Sequence, residues 1–173
     1  MKADYRLEEH QVDIYIIRHA DALPLGANGI QCDEDRPLSE TGCKQAKLIG
    51  TALKKRGITL DLIVTSPLLR AVQTAAQIRT INEMSEQQVE VRDELAPGGR
   101  PKKMARYLNG LSANTVALVG HQPDLSMYTG WLIGEKDAAI QFAKGGIALV
   151  RAEGSAAKGA SVLMWLVTPE WLE

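Results

Sequence analysis

The sequence predicts an α/β fold, a three-layer α/β/α sandwich around a mostly parallel sheet. Three observations predict it. Short β-branched apolar runs (VDIYII, LDLIV, TVALV) recur with the near-continuous hydrophobicity of strands buried on both faces. Amphipathic or Ala-rich stretches of helical period separate them. The chain has 173 residues, 45% of them apolar, and shows no internal repeat or linker. That fits one domain over 1–173 with a core of its own.

The first run, residues 12–17, stops abruptly at Arg18-His19-Ala20-Asp21. A stretch holding Pro24, Gly26, Asn28, Gly29 and Pro37 follows as loop. Residues 39–42 (SETG) start a helix, with Ser39 or Thr41 able to cap it and Glu40 in its first turn. Ala46, Ile49 and Leu53 share one helical face, Lys44, Lys47, Lys54 and Lys55 lie mostly off it, and Gly57 is the stop. Residues 60–64 form the second strand, leaving through Thr65-Ser66-Pro67. Residues 68–78 suit a helix, with Pro67 tolerated near its first turn. Residues 89–91 give a short strand, Pro97-Gly98-Gly99 a loop, and residues 101–111 a basic helix. Residues 115–119 are another buried-type strand, with the exit Gly120-His121-Gln122-Pro123, and Asp124 can cap a helix to Ile133. Residues 147–152 and 162–167 make a hairpin closed by the Gly/Ala/Ser-rich turn at 154–159.

Charge and composition narrow the function. Lys plus Arg is 20 and Asp plus Glu 21, a net charge of −1. Nucleic acid is not the expected partner, because nonspecific binding to it leans on excess Lys and Arg. Cys32 and Cys43 are too few for a disulfide scaffold and lack zinc-finger spacing, so they read as free thiols of a reducing compartment. No apolar run reaches the roughly 18 to 20 residues of a membrane span. Residues 1–11 are polar and mixed in charge, unlike a signal peptide. The expectation is a soluble, cytoplasmic protein, and a monomer because no exposed apolar stripe stands out.

In open α/β sheets the working residues lie at the carboxyl ends of strands. Three ends here carry unusual polar groups: Arg18-His19, then Ser66 with Arg70 just beyond, then His121. A permanent cation beside an imidazole lowers the imidazole's pKa and favours its neutral, nucleophilic form. A planar guanidinium can also hold the phosphate that such a nucleophile attacks. Arg70 stands at a helix start, where free N–H groups and the dipole favour an anion and give a cation no reason to sit unless one is present. Singly, each of these residues also reads as ordinary surface or turn. Their combination is sharper.

The segments YIIRHAD (15–21), RPLSETGCKQ (36–45), TSPLLRAVQT (65–74) and GHQP (120–123), in this order, resemble the histidine phosphatase superfamily, also called phosphoglycerate mutase-like. The match runs close to full length. The short chain most resembles the SixA-type phosphohistidine phosphatases, which lack the large insertions of mutases and share the RH-x-D/E-A pattern, here Arg18-His19-Ala20-Asp21-Ala22.

The resemblance implies that His19 is the nucleophile that becomes phosphorylated. It implies that Arg18 and Arg70 clamp the phosphoryl oxygens and that His121 donates to the group in flight. Phosphoryl transfer asks mainly for positioning and positive charge around three equatorial oxygens. Two guanidiniums and an imidazole supply that, so no cofactor and no metal are expected. Ala20 departs from the superfamily's common Gly, which is tolerated unless the backbone needs positive φ. The mutase branch uses a glutamate to protonate the leaving oxygen. Glu94 (beside Asp93) and Asp21 are the candidate general acids here, and each also reads as a solvated loop carboxylate.

The expected substrate is a phosphohistidine-bearing protein or a small phosphorylated molecule. The rival readings are a phosphomonoesterase or mutase on the same fold, and a silent phosphate-binding module. Arg36 could border the entrance but reads better as surface. Ser66 could hydrogen-bond near the phosphate but reads better as a cap of the following helix. Lys102, Lys103 and Arg106 form a basic helix face able to meet an acidic partner. Trp131, Trp165 and Trp171 read as core or edge packing.

Overall fold

The computed structural model describes residues 11–135 and 137–172. The polar reading of the N-terminal segment and His10 lie outside the described residues. A six-stranded sheet runs in the order β3-β2-β4-β1-β5-β6. Its strands are β1 (Gln11–Arg18), β2 (Leu62–Thr65), β3 (Val89–Val91), β4 (Thr115–Gly120), β5 (Ile147–Glu153) and β6 (Ser161–Val167). The first four are mutually parallel, and β5 and β6 add an antiparallel hairpin on the far side of β1.

Side chains alternate across the pleat, so each central strand feeds two cores. Ile14, Ile16, Val64 and Leu118 pack against α3 (Pro101–Leu108) and α4 (Asp124–Ile133). Tyr15, Ile17, Ile63 and Val119 pack against α1 (Glu40–Lys55) and α2 (Leu69–Ile81). This double burial is the physical reason the strands read as continuous apolar runs, and it gives the three layers.

Ser39 caps α1, its Oγ accepting the Gly42 N–H at 3.0 Å. Ala46, Ile49 and Leu53 form the buried face of the helix. Gly57, just past the end, takes φ 67°, a left-handed value that favours glycine. Gly42 is needed for closeness instead. A Cβ there would stand 1.9 Å from the Asp21 carbonyl oxygen, so α1 rests directly on the backbone that leaves β1.

Several expectations are corrected. The basic helix α3 ends at Leu108 and does not reach Leu111. Asn109 ends it by turning its amide onto the Ala156 backbone, donating at 3.2 Å and accepting at 2.8 Å. Asp124 does not cap α4. It is the first helical residue, and its Oδ2 accepts the Gly98 N–H at 3.0 Å. Trp165 packs at 6.0 Å from the Tyr15 ring and Trp131 stacks at 6.4 Å on Tyr128, but Trp171 is 77% exposed. In the terminal turn after β6, Leu172 takes the buried place instead. The outer strand β6 also carries exposed Val162 and Met164, an apolar stripe that the sequence reading did not single out. No helix among the described residues is long and apolar enough to cross a membrane.

Candidate active site

The sheet brings the three polar strand ends together. β4 lies between β1 and β2, with Arg18 in register with Gly120 and Thr65 with Val119. The next residues, His19, His121 and Ser66, are therefore neighbours at the carboxyl edge. The His19 N–H donates to the Gly120 carbonyl at 3.0 Å, and the Ser66 N–H to that of Val119 at 2.9 Å. The two imidazole rings are 5.0 Å apart, centre to centre, tilted by 51°. His19, His121, Ser66 and Arg70 are all buried.

His19 has a defined tautomer. Its Nδ1 lies 2.7 Å from the Ala20 carbonyl oxygen, which can only accept, so Nδ1 carries the proton. Nε2 is left with its lone pair, and Arg70 Nε–H donates to it at 3.2 Å. Burial, more than the neighbouring Arg70 and Arg18, pushes the His19 pKa down to about 4, against the Ala20 hydrogen bond that raises it. Arg18 thus contributes less to that depression than the sequence suggests. Burial also lowers His121, to about 3, with the His19 and Arg70 charges adding to it. Both imidazoles are neutral at pH 7.

A buried base with a depressed pKa has a signed effect on stability. The unfolded chain, with histidines near 6.5, binds more protons than the folded one between pH 6.5 and about 4. Stability therefore falls as pH drops through that window, by up to about 1.4 kcal/mol per pH unit for each imidazole. We expect unfolding free energies measured from pH 6.5 to 5 to show this slope and His19→Asn to reduce it. Imidazole proton resonances titrating at 6.5 would contradict it.

His121 Nε2 shares a 2.7 Å hydrogen bond with Ser66 Oγ. This corrects the helix-cap reading of Ser66. The N-cap of α2 is Leu68, without a side-chain cap, and Ser66 Oγ only accepts the Leu68 N–H at 3.3 Å. The free N–H groups expected at the start of α2 are partly taken as well, since Leu69 N–H donates to the Glu34 carbonyl at 2.9 Å.

Arg18 Nη1 donates to the Phe142 carbonyl at 2.8 Å, and its buried Nε–H has no partner among the described residues. The segment 142–146 grips this strand end repeatedly. Arg18 N–H donates to Gly146 O at 3.0 Å, Gly145 N–H to His19 O at 3.2 Å, and Lys144 pairs with Asp21 at 2.5 Å. From the other side, Ala20 N–H donates to Thr74 Oγ1 and Asp21 N–H to Gln45 Oε1. Ala20 does not take a positive φ, so its methyl group introduces no backbone strain.

The two candidate acids are placed differently. Both oxygens of Asp21 are engaged, one by Lys144 and one by Ser39 Oγ–H at 2.5 Å. Burial would raise the Asp21 pKa, but the Lys144 and Ser39 hydrogen bonds outweigh it and hold it below the usual range. Glu94, in the turn after β3, lines a small pocket together with His121 and Asp124. Arg36 is no free surface cation: it ties Leu23 O at 2.6 Å and Asp33 Oδ1 at 2.9 Å. Lys102, Lys103 and Arg106 are exposed on α3. Cys32 and Cys43 are free. No group of three or more His, Cys, Asp or Glu among the described residues is placed to hold a metal ion. Sequence reasoning missed Asp33, Thr74, Gln45, Lys144 and the Phe142 carbonyl.

Two imidazoles and two guanidiniums at the carboxyl edge of the parallel strands are chemistry suited to an enzyme that handles phosphoryl groups. The model of the histidine phosphatase superfamily (branch 1) matches residues 14–97. An uncharacterized protein of Picosynechococcus is 33% identical, over 93% of this chain and 99% of that one. Phosphohistidine phosphatase SixA of Escherichia coli is 28% identical over 91% of this chain and 94% of its own. The solved structure of the protein histidine phosphatase SixA with tungstate superposes with a TM-score of 0.82 at 26% identity, covering 94% of this chain and all of that one. The chain belongs to the histidine phosphatase superfamily, and it is a phosphatase.

Proposed function

We propose that this protein removes the phosphoryl group from phosphohistidine borne by a protein, through a phospho-His19 intermediate and without a metal, with residues 1–173 acting as one catalytic domain. The observation that carries the reading is the unprotonated Nε2 of His19, its tautomer fixed by the Ala20 carbonyl and its lone pair accepting the Arg70 Nε–H. In the first step Nε2 attacks phosphorus. The new P–Nε2 bond forms as the bond from phosphorus to the substrate's ring nitrogen breaks, and that ring, already protonated on its other nitrogen, leaves neutral. In the second step water attacks phosphorus, the P–Nε2 electron pair returns to His19, and the protons of the water go to phosphate and solvent.

Arg18 and Arg70 hold the equatorial oxygens, and His121 donates to them. Entry of a dianion raises the pKa of both imidazoles, because its negative charge favours the protonated rings against burial and the neighbouring cations. The tungstate carried by the SixA relative, a tetrahedral oxyanion, supports an oxyanion-binding role.

A neutral imidazole leaves without help, whereas an alkoxide needs a proton. A second reading, a phosphomonoesterase or mutase acting on a small molecule, is favoured by Glu94 lining the same pocket as His121. Of the two acids, Glu94 is the one this reading uses, since Asp21 is held ionised. Purified protein tested on a phosphohistidine protein, a phosphohistidine peptide, a phosphoserine peptide and 3-phosphoglycerate separates the readings. We expect the highest kcat/KM on phosphohistidine, unchanged by EDTA. Equal or better values on the two esters would transfer the assignment to the second reading.

A further inference from the structure

A buried cation needs a partner, and Arg70, 5% exposed, finds its partner in the loop ahead of α1. Its Nη2–H donates to Asp33 Oδ2 at 2.9 Å and its Nη1–H to the Asp33 backbone carbonyl at 2.7 Å. The outer end of the fork is thus closed by one residue, and the Nε edge faces His19 Nε2.

Asp33 is itself held. Its Oδ1 accepts Arg36 Nη1–H at 2.9 Å, and Arg36 Nε–H is anchored on the Leu23 carbonyl. The next carbonyl, Glu34, accepts the Leu69 N–H. The turn is therefore stapled to the first turn of α2 at two consecutive residues, 33 to 70 and 34 to 69. A guanidinium on a long side chain has many rotamers, and fixing one removes an orientational cost from the reaction.

We propose that Asp33 is a positioning residue, acting through Arg70: it locks the outer end of the guanidinium so that the Nε edge is aimed at the phosphoryl group on His19. This rests on the phospho-His19 reading and adds to it a residue that touches no reacting atom. Arg36 serves the same arrangement by holding Asp33. The hydrogen bonds from the fork account for the role, so an amide oxygen in place of the carboxylate oxygen restores part of it.

The test is a double-mutant cycle read with p-nitrophenyl phosphate, whose leaving group needs no acid. Asp33→Ala should lower kcat about 10- to 100-fold, more than it changes KM, with the fold retained by circular dichroism. In an Arg70→Ala background the same change should alter kcat less than about threefold, because its effect is transmitted by the missing side chain. Asp33→Asn should recover at least about threefold over Asp33→Ala. Equal losses in both backgrounds, an Asn variant as slow as Ala, or a rise in kcat/KM would overturn the proposal. The last result would mean that the carboxylate competes with phosphate for Arg70. Trapping of labelled phosphoenzyme in Asp33→Ala keeps the two claims apart: label lost only in His19→Ala sustains the phospho-His19 reading even when the cycle shows no coupling.

Discussion

His19→Ala abolishes the acid-quenched, labelled phosphoenzyme and lowers kcat by at least about 10⁴-fold, the scale on which removal of a covalent nucleophile acts. The expectation follows from geometry. Nε2 of His19 is a lone-pair nitrogen in a set tautomer, and the other imidazole nearby, His121, has its Nε2 on Ser66. His121 Nδ1 is also unpartnered among the described residues, but Arg70 faces Nε2 of His19, so the label is expected on His19. Rapid-quench trapping with labelled substrate, followed by mapping of the labelled peptide, checks this. Label persisting in the variant would remove His19 from the mechanism. A folded variant is expected, because His19 lies past the end of β1 and the core strand before it stays intact.

Arg70→Ala should cost about 2 to 4 kcal/mol of transition-state stabilisation, the range of a strong oxyanion donor. The loss should appear mainly in kcat, since charge on the equatorial oxygens is held most tightly as phosphorus changes partners. Arg70→Lys should not restore it. A lysine keeps the charge but cannot donate to His19 and to Asp33 from one rigid plane. The alanine substitution also leaves Asp33 with Arg36 alone, one of the two cations, first Arg36 and then Arg70, that hold its carboxyl below the usual range. Steady-state kinetics with single-turnover measurement of phosphoenzyme formation checks the prediction. A change in KM alone would show that Arg70 only binds.

The parts of this molecule legible in its sequence are those set by burial. Strands covered on both faces announce themselves as apolar runs, so Arg18-His19 and His121 could be placed at strand ends and Arg70 at a helix start before any coordinates. Family resemblance then gave them roles. Ser66 was legible as a residue at an exit but not as the partner of His121, because its contact joins the ends of β2 and β4, which only strand pairing brings together. Asp33 was illegible for a related reason: it sits in an aperiodic loop among Glu34 and Asp35, and only folding decides which of three acids meets Arg70. Asp124 and Trp171 misled through strong local preferences, one for caps and one for cores, which a tertiary hydrogen bond and a terminal turn override.

The stretch 142–146 donates no reactive side chain, and it lies beyond the last of the two imidazoles and two guanidiniums in chain order. A polypeptide ending after α4 would possess every one of those groups. It would still lack the carbonyl that Arg18 grips and the amide that fastens His19 O. This segment, just ahead of the C-terminal hairpin, works as a splint on the first strand's tip. Counting reactive side chains is then a poor guide to competence, because this segment holds the reactive centre in place without supplying a reacting group of its own.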